Sequence, residues 1–68
     1  MKLTYRVATQ LLPPGDLVYS LTDSGGFEPA TVLAVRDGWL ETDIGILDFG
    51  DHGCTWWLTR KVAEEKCK

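Results

Sequence analysis

Asp37-Gly38 stands between two apolar runs. An Asp-Gly pair in that setting is the strongest short-range signal for a β-hairpin, because both central residues of the tight turn are expected to take positive φ. The pair joins Ala30-Thr31-Val32-Leu33-Ala34-Val35-Arg36, the most strand-like stretch of the chain, to a returning strand at residues 39–43. A fold for this sequence must therefore be organised around an antiparallel β pair.

Punctuation on either side of that hairpin sets the remaining elements. Pro13-Pro14-Gly15-Asp16 forces a turn, since proline fixes φ and restricts the residue before it. Before the turn, Leu3, Tyr5 and Val7 alternate as in a strand, while Val7 and Leu11, and Ala8 and Leu12, recur at helical spacing. The reading adopted is a short strand followed by a helical turn. After it, Leu17-Val18-Tyr19-Ser20-Leu21 reads as the first core strand, with Leu17, Tyr19 and Leu21 on one face. Residues 22–26 form a loop, residues 44–49 a further strand with Gly45 as a bend or bulge, and residues 51–53 a turn into a last strand at 54–58. Thr59 can cap a short helix over residues 60–67, whose C-terminal end suits Lys66 and Lys68.

Five short strands, a central hairpin and a small terminal helix predict a mainly β chain, a small, partly open SH3-like barrel. A two-layer α+β fold is the alternative. Its 68 residues allow one domain, divided into a lead-in segment at 1–13, the barrel at 15–58 and the helix at 60–67. A chain of this size buries only roughly 60% of the surface its unfolded form exposes, so a few large side chains must form the core. Three Trp, two Tyr and two Phe supply them.

Pro14-Gly15-Asp16-x-Val18-Tyr19, a central Ala30-Thr31-Val32 strand, and Asp51-x-Gly53-x-Thr55-x-Trp57-Leu58-Thr59-Arg60 followed by Ala63-Glu64 resemble a group of short uncharacterised bacterial and prophage proteins. The endings of those proteins typically read D-x-G-K-T-V-F-L-T-R-E-E-A-E. Here Cys54 stands at the lysine, Trp56-Trp57 at the valine-phenylalanine pair, and Lys61-Val62 at the glutamate pair. The resemblance implies a small barrel in a mobile-element or accessory setting, with no chemistry to inherit.

Neighbouring residues of a strand point to opposite faces, so Trp56 and Trp57 are not expected to enter the same core. The resemblance puts a core aromatic at Trp57. That leaves Trp56 as the candidate surface aromatic, forming a contact site with Trp39 or Tyr19, against the reading that so small a protein favours, in which the C-terminal helix covers it.

Other clusters carry less. Asp48, Asp51, His52 and Cys54 have metal-ligating side chains, but one His and no Cys-x-x-Cys is a poor zinc pattern, and turn chemistry explains the same letters. His52 could serve as base only to Cys54, Ser20 or Ser24, and no phosphate-cradling motif is present. The expectation is a protein that is not an enzyme, with no metal and no cofactor.

Net charge is −3 and unevenly spread: residues 21–55 carry seven acids against Arg36 alone, while residues 56–68 carry four bases against Glu64 and Glu65. That balance argues against a generic phosphate-binding surface and suits a basic partner, or simply solubility. No apolar run approaches the ~20 residues of a membrane span, and the N-terminus lacks the apolar core of a secretory signal. A cytoplasmic location follows, in which Cys54 and Cys67 are reduced thiols. Two functional classes remain. The favoured one is a protein-interaction module, a bacterial or mobile-element accessory factor modulating a host protein. The other is a nucleic-acid or nucleotide-binding barrel in which Trp39, Trp56 and Tyr19 stack bases while Arg36, Arg60 and Lys61 meet phosphates. Self-association into a homo-oligomer is compatible with either.

Overall fold

A computed structural model describes residues 3–67; Met1 and Lys2 of the expected lead-in, and Lys68 just after the expected helix, lie outside the described residues. The elements run α1 (Tyr5–Leu11), β1 (Leu17–Leu21), β2 (Phe27–Arg36), β3 (Trp39–Thr42), β4 (Gly45–Asp48), a 3-10 turn (Phe49–Asp51), β5 (Trp56–Trp57) and α2 (Arg60–Lys66). All strand pairs are antiparallel and the order across the sheet is β4-β3-β2-β1-β5. The chain therefore meanders through four strands, crosses on one 3-10 turn, and returns its last strand to the side of its first. This is a mainly β, SH3-like half-barrel with a short C-terminal helix, as the sequence predicts.

β2 makes the curl. Its first half pairs with β1, from Leu21↔Phe27 to Leu17↔Thr31, and its second half with β3, from Val32↔Thr42 to Arg36↔Trp39. Between Val32 and Ala34 the register shifts, so Leu33 is an extra residue in the strand. Such a bulge bends and twists the strand that carries it. It also changes side-chain parity: Ala30 and Val32 face the core before it, and Val35 packs on the core after it. The bulge thus falls at Leu33, not at Gly45. Gly45 sits at φ 130° where the chain turns from β3 into β4. In the Asp37-Gly38 hairpin only Gly38 has positive φ, at 104°, so the turn is not the doubly left-handed form expected.

The core gathers Val18, Ala30, Val32, Leu40 and Trp56 from the barrel with Leu3, Ala8 and Leu12 from the N-terminal segment. That segment is a helix from Tyr5 onward, and Leu3, Tyr5 and Val7 do not form the expected strand. Both edges of β1 are already taken, by β2 and β5. A helix instead gains a cap, the Thr4 hydroxyl accepting from the Val7 N–H at 3.3 Å, and places Ala8 and Leu12 on one face against the barrel. On β1 the face entering the core is that of Val18; Leu17 and Leu21 are exposed on the opposite face. There α2 packs against β1 and β5 and buries Ala63, started by Thr59, whose hydroxyl accepts from the Val62 N–H.

Trp56 is completely buried, so of the two readings the covered one holds and its place in a surface contact site is corrected. It sits opposite Ser20 on the face of β1 that carries Val18, so its indole fills the half-barrel. Its Nε1–H donates to the Asp48 carbonyl at 2.8 Å, joining the last strand to β4 at the far side of the sheet. Trp57 takes the other face, opposite Tyr19, and is buried as well, on the side where α2 packs. Adjacent tryptophans can both be buried because this sheet is covered on both faces at β5. The helix expected as the cover for Trp56 lies on the side of Trp57.

Candidate functional site

Strand alternation sorts β2, β3 and β4 into two faces. Val35, Leu40, Thr42 and Leu47 point inward, the first two paired with each other and Leu40 also with Leu47. The outer face carries two cross-strand rows, Arg36–Trp39–Asp48 and Ala34–Glu41–Ile46. Trp39 is half-buried and lies diagonally across from Ile46, which is 66% exposed and the most exposed large apolar residue among those described. A diagonal neighbour in an antiparallel pair lies within reach of an aromatic ring. Leu33 at the bulge and Ile44 in the β3–β4 turn are also exposed. The two helices pack elsewhere, α1 against β2 and α2 against β1 and β5.

Acidic side chains surround this face. Asp37, Asp43, Asp48 and Asp51 are exposed and Glu41 lies on the face itself. Arg36 is its one base, and a Glu41 carboxylate oxygen lies 3.8 Å from its guanidinium. The turn that presents the face is pinned: the Asp43 carboxylate accepts from the Thr31 N–H at 2.9 Å, and the Asp43 N–H donates to the Thr31 carbonyl. The buried Thr42 hydroxyl donates to the Gly45 carbonyl.

The expected site residues do not form one surface. Trp39 and Arg36 are neighbours on the outer face. Tyr19 lies on β1 beside Phe27, ring edge to ring face at 6.0 Å between centroids, and opposite Trp57. Arg60 opens α2 and pairs with Glu64 at 3.1 Å, with Lys61 exposed beside it. Trp56 is in the core. Ile46 was missed by sequence reasoning although a signal existed: once Trp39 and Glu41 face outward, the hairpin partner two residues from Asp48 must do so too.

The polar turn at Asp48, Asp51, His52 and Cys54 is structural. The Asp51 carbonyl accepts from the N–H groups of Cys54 and Thr55, and the Asp48 carboxylate caps the 3-10 turn through the Gly50 N–H. The His52 ring packs on Trp56 with centroids 4.9 Å apart, and burial there lowers its pKa from the ordinary histidine value. Among the described residues no group of three or more His, Cys, Asp and Glu side chains is placed to hold a metal ion. Cys54 and Cys67 are free; the Cys67 thiol reaches the Gly26 carbonyl at 3.8 Å. No helix among the described residues is long and apolar enough to cross a membrane.

The fold and this face together define a small SH3-like half-barrel with an uncovered tryptophan–isoleucine face in acidic surroundings. No family model, no curated protein and no solved structure is matched by the chain.

Proposed function

We propose that the protein is a non-enzymatic interaction module that binds a basic segment of a protein partner on the outer face of β2, β3 and β4. One observation carries this reading: Ile46, 66% exposed, lies diagonally across β4 and β3 from half-buried Trp39 on the outer face, with Glu41 and Asp48 beside them. An exposed apolar patch rimmed by charge is the usual form of a docking surface. The resemblance to short prophage proteins suits an accessory factor acting on a host protein, and the free thiols of Cys54 and Cys67 suit the cytoplasm.

The nucleic-acid reading has less support. Its phosphate ligands would be Arg36, Arg60 and Lys61, yet Arg36 and Arg60 both sit beside glutamates and only Arg36 adjoins an aromatic of the site. The test is affinity capture of the tagged chain from host lysate at low and moderate salt, with Trp39→Ala and Ile46→Lys alongside. A stoichiometric protein retained at moderate salt and lost with both variants is expected. Nucleic acid eluting as salt rises would overturn the proposal.

A further inference from the structure

The face described above ends at a sheet edge that is open. The Phe49 N–H donates to the Gly38 carbonyl at 2.9 Å, a bond that flanks a non-hydrogen-bonded pair in an antiparallel ladder. Trp39↔Asp48 is therefore such a pair, and so is Glu41↔Ile46 two residues along. The backbone N–H and C=O of Ile46 and Asp48 consequently point away from β3, at the free edge of β4. The Trp56 indole N–H occupies the Asp48 carbonyl. The Ile46 groups and the Asp48 N–H face outward without a strand partner.

We propose that this edge of β4 accepts an extended basic peptide segment as an additional antiparallel or parallel strand, an inference that rests on the interaction-module reading and specifies its docking mode. A strand added here places alternate side chains on the outer face, beside Ile46 and within reach of Glu41 and Asp48, where lysine or arginine is complementary. The intervening side chains fall on the inner side, next to half-buried Leu47, where apolar residues fit. A second copy of the same edge is disfavoured by charge. It would set Glu41, Asp43 and Asp48 of one chain against the same acids of the other, and like charges placed across a ladder repel.

The probe is a synthetic seven-residue peptide alternating lysine and valine, titrated into the intact protein while backbone amides are followed by NMR. The expected result is a shift of the Ile46 and Asp48 amides and slowed hydrogen exchange at Ile46. Two further peptides are N-methylated at every second residue, one in each frame. The frame that blocks the donors facing β4 should bind about tenfold more weakly, the loss of roughly one hydrogen bond's worth of affinity, and the other should bind as the parent does. A peptide with glutamate in place of lysine should not bind. Equal binding of both methylated frames, with shifts centred on Trp39, would overturn strand addition while leaving the outer-face reading standing. No binding of the lysine–valine peptide at millimolar concentration would overturn it outright. So would a concentration-dependent dimer in sedimentation that disappears in Ile46→Lys, which would assign the edge to a second copy.

Discussion

Replacing each of the two adjacent tryptophans by phenylalanine separates a used indole N–H from an unused one. Both rings are almost wholly buried, so both substitutions shrink a packed side chain, at about 1–2 kcal/mol each. The polar atoms differ. Trp56 Nε1–H donates to the Asp48 carbonyl, whereas Trp57 Nε1 is buried with no hydrogen-bond partner among the described residues. Trp56→Phe therefore also loses a hydrogen bond of about 1 kcal/mol, the Asp48 carbonyl at the strand edge returning to water. Trp57→Phe removes an unsatisfied donor and recovers about 1–3 kcal/mol. The two variants should differ by about 3 kcal/mol, with Trp56→Phe the less stable and Trp57→Phe close to the parent. In a domain of this size about 1 kcal/mol moves the midpoint by roughly 4–8 °C, so thermal unfolding followed by far-ultraviolet circular dichroism should separate them by more than about 10 °C. Equal midpoints, or a lower one for Trp57→Phe, would refute the claim that the Trp56–Asp48 bond holds the two ends of the sheet together.

Other consequences can be checked in the same way. Gly38→Ala should cost about 1–2 kcal/mol in urea unfolding, because φ is 104° there and an L side chain is strained in that region. Thr4→Ala should cost about 1 kcal/mol by removing the cap of α1, with Thr4→Ser close to neutral. Burial lowers the pKa of His52 in the folded state, so folding favours the neutral ring. The stability this contributes is complete above the unfolded value of 6.5 and is lost as pH falls through it toward the lower folded value. The thermal midpoint should accordingly fall between about pH 8 and about pH 5, and His52→Gln should flatten that part of the profile. Ile46→Lys should leave the unfolding free energy within about 0.5 kcal/mol of the parent, since the side chain is mostly exposed, while abolishing capture of a basic partner.

Local signals in the sequence were read well where they act over a few residues. Leu17–Leu21, the Asp37-Gly38 turn, the Thr59 cap and the Arg60–Lys66 helix are all placed by residues in or next to them. What the letters did not show are choices made by packing. Tyr19 and its leucine neighbours form an attractive apolar row, yet Val18 enters the core, because α1 fills one side of the half-barrel and α2 covers only part of the other. Strand alternation sends Trp56 and Trp57 to opposite faces, and the letters alone leave open whether Trp56 is exposed or covered. The two rings do diverge, and each meets a covered face. The outer face of β2, β3 and β4 was half legible: Trp39 and Arg36 flank the hairpin turn that the sequence marks, while placing Ile46 beside them takes the register of β3 and β4.

The extra residue at Leu33 has a consequence for how β2 tolerates a change in length. Removing a residue further along, such as Ala30 or Arg36, would turn over the residues between the gap and the bulge, exchanging their core and solvent faces, or force β3 to slip. Removing Leu33 alone keeps every later residue on its own side, since Ala34 would simply take its place opposite Glu41. What disappears is the bend, and with it the inducement for the sheet to close far enough that an indole on one margin reaches a carbonyl on the other. A one-codon deletion scan along β2 should thus single out this position as the one where a flatter sheet, and not an inverted one, results.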